Sequence, residues 1–254
     1  ITDRFGIEIP ILQAPMAGVS TPALAAAVSN AGGLGNVALG TVGPQQAAEM
    51  LAAVRAATDR PFGANVFAHA TPRSDAAREA AWRDRLRPYF AEFGAEPPAA
   101  LRSPYRSFND DPAMLAVLLE AKPPVVSSHF GLPSPDTVAA LKGYGGRLLA
   151  TATTLKEGRA CERAGVDAVI AQGVEAGGHR GCFGPADEGM TTLALVPLLA
   201  GALSVPVIAA GGIADGRGIA AALALGAEAV QLGTAYVACP EAATSPGYRN
   251  LLAS

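Results

Sequence analysis

Residues 207–234 read "VIAAGGIADGRGIAAALALGAEAVQLGT". An apolar run (206–210, "PVIAA") leads into Gly211-Gly212. Asp215 then opens an Ala-rich helical pattern that ends at Gly226, and a second apolar run (228–232) stops at Gly233-Thr234. Runs that are apolar at nearly every position, rather than alternating, suit parallel strands buried on both faces. The Asp and Gly stand where a helix takes its caps. This is one strand–helix–strand unit, common to open doubly wound sheets and closed barrels. The number of units decides between them.

The unit recurs along the chain. Candidate strands are 10–14, 34–38, 62–66, 124–128, 147–151, 167–171, 206–210 and 228–232, with helical patterns such as "TPALAAAVSNAG", "GPQQAAEMLAAVRAAT", "SPDTVAALKGYG" and "TLKEGRACERAG" between them. Eight repeats without a charged edge strand favour closure over an open sheet. The expectation is an α/β chain forming one (β/α)8, or TIM, barrel domain over 1–254. The third connection, about 68–110, is too long for a barrel loop and reads as a helical insertion, "AREAAWRDRLRPYFAEFGAEPP", on the face where lids are built. After the eighth strand only "GTAYVACPEAATSPGYRNLLAS" follows, so the C-terminal end reads as truncated.

Composition narrows the class. The chain has 254 residues, half of them apolar, and a net charge of −3. That is ample for a large core and argues against a nucleic-acid or other polyanion partner. No 18-residue apolar run suggests a membrane span, and "ITDRFGIEIP" lacks the pattern of a secretion signal. Three scattered cysteines (Cys161, Cys182, Cys239) suit reduced thiols. The expected setting is the cytoplasm.

In such barrels catalytic groups sit just past the strand C-termini. All three histidines fall there: His69 after strand three, His129 after strand four, His179 after strand six. A metal site would need convergent ligands and an acidic partner, and "LQAPMAG" after strand one supplies none. Cys182 as a nucleophile is the weaker reading beside simple packing in its loop. A Schiff-base lysine fails because Lys122, Lys142 and Lys156 are not at strand ends. No metal is therefore expected.

Gly211-Gly212 and Gly233-Thr234 fall in the two loops that, with a helix N-terminus, form the recurrent phosphate site of these barrels. The alternative is that these glycines serve only tight turns. Other strand ends then read as the bed of a ring system. Ala14-Pro15-Met16 offers a backbone turn and a polarizable thioether, and Asn65 and Gln172 each offer an amide that donates and accepts. This suits the edge of FMN, although amides at strand ends also serve purely structural roles.

Five segments, "ILQAPMAG", "GANVF", "SSHFGLP", "AQGVEAGGHRG" and "AAGGIADGRGIAAALALGAEAVQLGTAYVACPEA", together resemble the nitronate monooxygenases, formerly called 2-nitropropane dioxygenases. The likeness spans essentially the whole chain. Its tail is shared with other phosphate-binding barrels such as inosinate dehydrogenases. The resemblance implies a flavoprotein that binds FMN and oxidises alkyl nitronates with O2 to a carbonyl compound and nitrite. It implies FMN contacts from Ala14, Pro15, Met16, Asn65, Gln172, Gly177, Gly212, Gln231, Leu232, Gly233 and Thr234, to which the loop glycines Gly178 and Gly211 are added. It makes His179 the catalytic histidine, with His129 lining the same substrate pocket, which Phe130 and the long insertion are expected to bound. The partners expected are a small-molecule nitronate and O2, with no nucleic acid or membrane, and a homodimer left open. The rival enzyme is an FMN-dependent NAD(P)H oxidoreductase of enoyl-ACP or quinone reductase type. A rival of another kind is a non-catalytic phosphate-ligand binder.

Overall fold

Closure rests on one short seam. The computed structural model describes residues 1–252 and 254, and places the strands in the order β1-β8-β7-β6-β5-β4-β3-β2, all parallel. They are β1 (Ile11–Gln13), β2 (Gly35–Ala38), β3 (Phe62–Phe67), β4 (Val125–His129), β5 (Arg147–Ala152), β6 (Ala168–Gln172), β7 (Val207–Ala210) and β8 (Ala229–Leu232). The two ends meet where Gln13 N–H donates to the Leu34 carbonyl at 2.9 Å and Leu34 N–H donates to that of Ile11 at 3.0 Å. The (β/α)8 barrel expected from eight apolar runs is thus formed, each strand within two residues of its expected bounds.

The helices are α1 (Thr2–Phe5), α2 (Pro22–Asn30), α3 (Pro44–Ala57), α4 (Ala76–Ala91), α5 (Pro112–Ala121), α6 (Pro135–Gly143), α7 (Leu155–Arg163), α8 (Thr192–Ala200), α9 (Gly216–Ala224), α10 (Thr234–Val237) and α11 (Pro246–Leu252). Thr21, Ser134, Thr154, Thr191 and Asp215 each cap a helix by accepting a first-turn N–H, which satisfies donors the helix cannot use itself. The connection between β3 and α5 holds α4, which buries no residue and leaves Trp82 half exposed, and then a 3-10 turn at Phe108–Asp110. None of the helices among the described residues is long and apolar enough to cross a membrane.

Alternation along the strands sorts the core into two layers. Leu12, Leu34, Val125, Leu149, Ala168, Ile170, Ile208, Ala210 and Ala229 form the barrel interior, closed below by Phe5 and Ile7. Val37, Phe62, Ala64, Val66, Val126, Leu148, Val169 and Val207 face outward onto Leu51, Val54, Leu118, Leu141, Leu195 and Leu199 of the helices. Following the inward parity to the C-terminal ends, the axis is topped by Asn65, Phe67, Ser127, His129, Thr151, Gln172 and Gln231. The interior is apolar below and polar at the mouth.

At Gly35 the outer layer is so thin that α2 lies directly on β2. A Cβ there would stand 1.8 Å from the Ala25 carbonyl oxygen. Gly35→Ala therefore forces a backbone shift, and the expected loss is about 3 kcal/mol, the upper end for overpacking. Urea denaturation should show a lower midpoint with an unchanged slope.

Candidate active site at the barrel mouth

The loop from β6 to α8 carries His179 and is held in place chiefly through its backbone. The carbonyl oxygen of His179 lies 3.0 Å from Gln172 Nε2, which donates to it, and 3.1 Å from His129 Nε2. Gln172 Oε1 in turn accepts the Gly181 N–H at 2.7 Å. Both ends of the Gln172 amide are thus engaged inside its own loop, so its contribution to any ligand runs through that loop. Arg180 ties the same segment down. It donates to the Gln172 carbonyl and forms a two-bond pair with Asp187 at 2.9 and 3.1 Å, which holds the Asp187 carboxyl down to about 2.

With its backbone fixed, the His179 side chain stands exposed at the mouth among aromatic rings. Its ring centroid lies 5.3 Å from Phe67, 5.5 Å from Phe130 and 5.6 Å from Tyr105, all edge to face. Phe67 also meets Tyr105 at 5.4 Å and Phe130 at 5.0 Å, and His69 reaches Phe130 at 6.2 Å. Such T-shaped pairs each add about 0.5–1.5 kcal/mol beyond area burial. Phe130 adopts φ +66°, a left-handed conformation costly for a bulky side chain. That strain is of order 1–3 kcal/mol and aims the ring into the cluster. A Cβ on Gly40 would come within 2.5 Å of the Phe67 ring, so that ring lies flush on the β2–α3 loop.

His129 ends β4, half buried beneath the cluster. Burial is the main reason its pKa falls to about 4. The nearby His179 and Arg180 also lower it, against the raising effect of the His179 carbonyl bond. It is therefore neutral at pH 7. Its Nδ1 is 3.0 Å from Thr151 Oγ1 on the neighbouring β5.

The other expected site residues surround this centre. Asn65 Nδ2 donates to Ser127 Oγ at 2.9 Å, and Asn65 Oδ1 has no partner among the described residues. Gln231 stands at the top of β8 with its side-chain amide likewise unpartnered. Gly211 and Gly212 adopt φ +113° and +69°, which removes the turn from the repertoire of other residues. Ala14 and Met16 flank Gly233, their Cβ and Sδ lying 3.8 and 3.9 Å from where its Cβ would be. Pro15 sits between them. The amides of Gly212, Gly233 and Thr234 donate to no acceptor among the described residues. Gly177 and Gly178 are exposed with open space around them. Cys182 packs 3.5 Å from Thr153 Oγ1.

The first turn of α9 is capped by Asp215, whose Oδ1 accepts from Arg217 N and Gly218 N at 3.0 Å each. Gly233 and Thr234 open the other helix beside these loops, α10. Sequence reasoning missed Phe67, Tyr105, Thr151 and Glu175. Desolvation opposes the Glu175 charge, but hydrogen bonds from its own amide and from Thr192 outweigh it and hold its pKa below the usual range. Its carboxylate accepts from Thr192 N at 2.8 Å and Oγ1 at 2.9 Å, pinning the far end of the loop beside Gly212.

The depressed His129 pKa sets a pH dependence. Unfolded, the ring titrates near its ordinary 6.5; folded, near 4. The unfolded chain therefore binds a proton first, and stability present above pH 6.5 is lost as pH falls towards 4. Between pH 7 and 4.5 the wild type should lose about 2 kcal/mol more than His129→Gln, read from denaturant midpoints at the two pH values.

The family model for nitronate monooxygenase matches residues 1–253. A nitronate monooxygenase of Pseudomonas aeruginosa is 56% identical over 99% of this chain and 74% of its own length. One from Paraburkholderia phytofirmans is 59% identical over 97% of this chain and 68% of its own. Among solved structures, a nitroalkane oxidase from Streptomyces ansochromogenes superposes with TM-score 0.87 at 43% identity, covering 98% of this chain and 71% of that one. FabK from Thermotoga maritima, as an M276A mutant, gives 0.76 at 38% identity, covering 98% and 68%. With the likeness running through the whole barrel, the chain belongs to the nitronate monooxygenase family.

Proposed function

We propose that this chain binds FMN and uses it to oxidise alkyl nitronates with O2, giving a carbonyl compound and nitrite. The observation that carries this reading is the placement of an exposed histidine, its backbone clamped and its ring framed by Phe67, Tyr105 and Phe130, at a mouth rimmed by unpartnered loop amides. The residues present fit the flavin. Gly212, Gly233 and Thr234 would offer N–H groups to its phosphate. Ala14, Pro15 and Met16 would lie along one side of its ring, with Asn65 Oδ1 and the Gln231 amide at its polar edge. Gly177 and Gly178 would let the loop backbone come close to it. When bound, FMN supplies the electron acceptor that nitronate oxidation requires.

The side chains of this chain do the rest. A nitronate is an anion with its charge spread over two oxygens, and the His179 imidazole can hold them by a donated hydrogen bond. Phe67, Tyr105 and Phe130 stand beside the imidazole and lower the polarity around it, which strengthens that bond. His129, neutral and already bonded to the His179 carbonyl, contributes no charge. It steadies the loop from below. The substrate is a small molecule, and the proposed setting is the cytoplasm.

His179→Asn tests the assignment. It should leave FMN bound, with the flavin absorbance of the purified protein unchanged, and slow anaerobic bleaching by ethyl nitronate at least tenfold. Unchanged bleaching would remove the role. The same anaerobic assay with NADPH separates the reductase alternative, since a nitronate oxidase should bleach with the nitronate alone.

A further inference from the structure

We infer that Thr151 is a positioning residue for His179, acting through the hydrogen-bonded ring of His129. The argument needs only hydrogen-bond polarity. A carbonyl oxygen cannot donate, so the 3.1 Å contact between His129 Nε2 and the His179 carbonyl requires the proton on Nε2. In the neutral ring Nδ1 is then an acceptor. Its partner at 3.0 Å, Thr151 Oγ1, must be the donor. The chain of bonds therefore has one direction: Thr151 O–H to His129 Nδ1, His129 Nε2–H to the His179 carbonyl. Gln172 Nε2–H supplies a parallel bond to the same oxygen at 3.0 Å. Three adjacent strands, β4, β5 and β6, thus converge on one backbone atom of the loop.

Position makes the relay specific. Thr151 is buried, its register partner on β6 is Ile170, and its methyl group lies against the same loop, where a Cβ on Gly181 would approach it to 2.7 Å. A Cβ there would also come 2.7 Å from the His129 ring. Gly181 closes on Thr151 and His129 together, leaving the ring little room to turn over. If the hydroxyl is lost, Nδ1 becomes a buried acceptor without a donor, while the His179 carbonyl still holds the proton on Nε2, and the ring relieves the cost only by shifting out of its place between Thr151 and the loop. That shift weakens the bond to the His179 carbonyl. The imidazole at the mouth then loses its fixed bearing, although Thr151 touches neither substrate nor flavin.

The catalytic part of this inference rests on the nitronate reading, but its physical core does not. In the FMN-loaded enzyme labelled with 15N-histidine, the ring nitrogen shifts of His129 should show a single Nε2–H tautomer at pH 7. A Nδ1–H tautomer, or a mixture, would overturn the inference whatever the enzyme oxidises. Thr151→Val should move the Nδ1 shift of His129 towards that of an acceptor without a hydrogen bond while the proton stays on Nε2, leave FMN affinity unchanged and lower the limiting rate of anaerobic reduction by ethyl nitronate about five- to tenfold, the worth of one neutral hydrogen bond. Thr151→Ser should restore both readouts. In a His129→Leu background Thr151→Val should add nothing further. Wild-type shifts and rates in Thr151→Val, or a Thr151→Ser variant no better than Val, would equally overturn it. If the wild type itself fails to oxidise nitronates while the tautomer is as stated, the function falls and the relay stands.

Discussion

The structure depends on closing a ring of eight parallel strands across a seam only a few residues long. β1 pairs with β8 along three residues but meets β2 through little more than the Gln13–Leu34–Ile11 bonds. The seam is reinforced by a fully buried glutamine. Gln13 Oε1 accepts from Asn36 N at 2.8 Å, its Nε2 donates to Ser20 Oγ at 2.8 Å, and Asn36 Nδ2 donates back to the Gln13 carbonyl at 2.7 Å. A buried amide left unpaired would cost a few kcal/mol, so this network locks the register of the joint. Closure makes the eight C-terminal strand ends one rim. It also brings Ala14 N–H to the Leu232 carbonyl at 2.8 Å, setting the first and last loops side by side.

On that rim the protein separates two tasks. The mouth of the barrel is polar on its inward parity, yet three of those groups, His129, Thr151 and Gln172, serve the β6–α8 loop rather than solvent. Asn65 holds Ser127, Gln172 holds both sides of the His179 turn, and His129 with Thr151 holds its carbonyl. Because burial keeps His129 uncharged near neutral pH, this scaffold carries no formal charge beneath the His179 imidazole. The charged side chains, Arg180, Asp187 and Glu175, lie further out and are spent on the loop's ends. Rigidity of the backbone and exposure of the imidazole are thereby compatible.

Membership of the family and the geometry of the rim bear on each other. The relatives match 97–99% of this chain and so share its full barrel. Rim loops vary most freely in this architecture, since the barrel is stable without them. Family membership therefore speaks for the barrel, and the proposed chemistry rests on the residues of this rim, His179 and the unpartnered amides.

Much of this was legible in the residues themselves. Uninterrupted apolar runs of four to six could be buried on both faces only in a parallel sheet, and eight of them with capped helices between left the closed barrel as the economical solution. The ends of those runs located the rim, and with it all three histidines and the glycine pairs. What the chain order could not reveal is which side chains meet once the ring closes. Tyr105 reaches His179 from across the long third connection, Thr151 reaches His129 from the next strand, and Asp215 occupies the first-turn amides of α9. Gln172 reads equally well as a ligand or as a strut, and only its distances to the His179 carbonyl and the Gly181 amide make it a strut. Periodicity and capping are local properties, carried by neighbours in sequence. Contacts at the rim are set by barrel closure, which joins residues from different strands at one point.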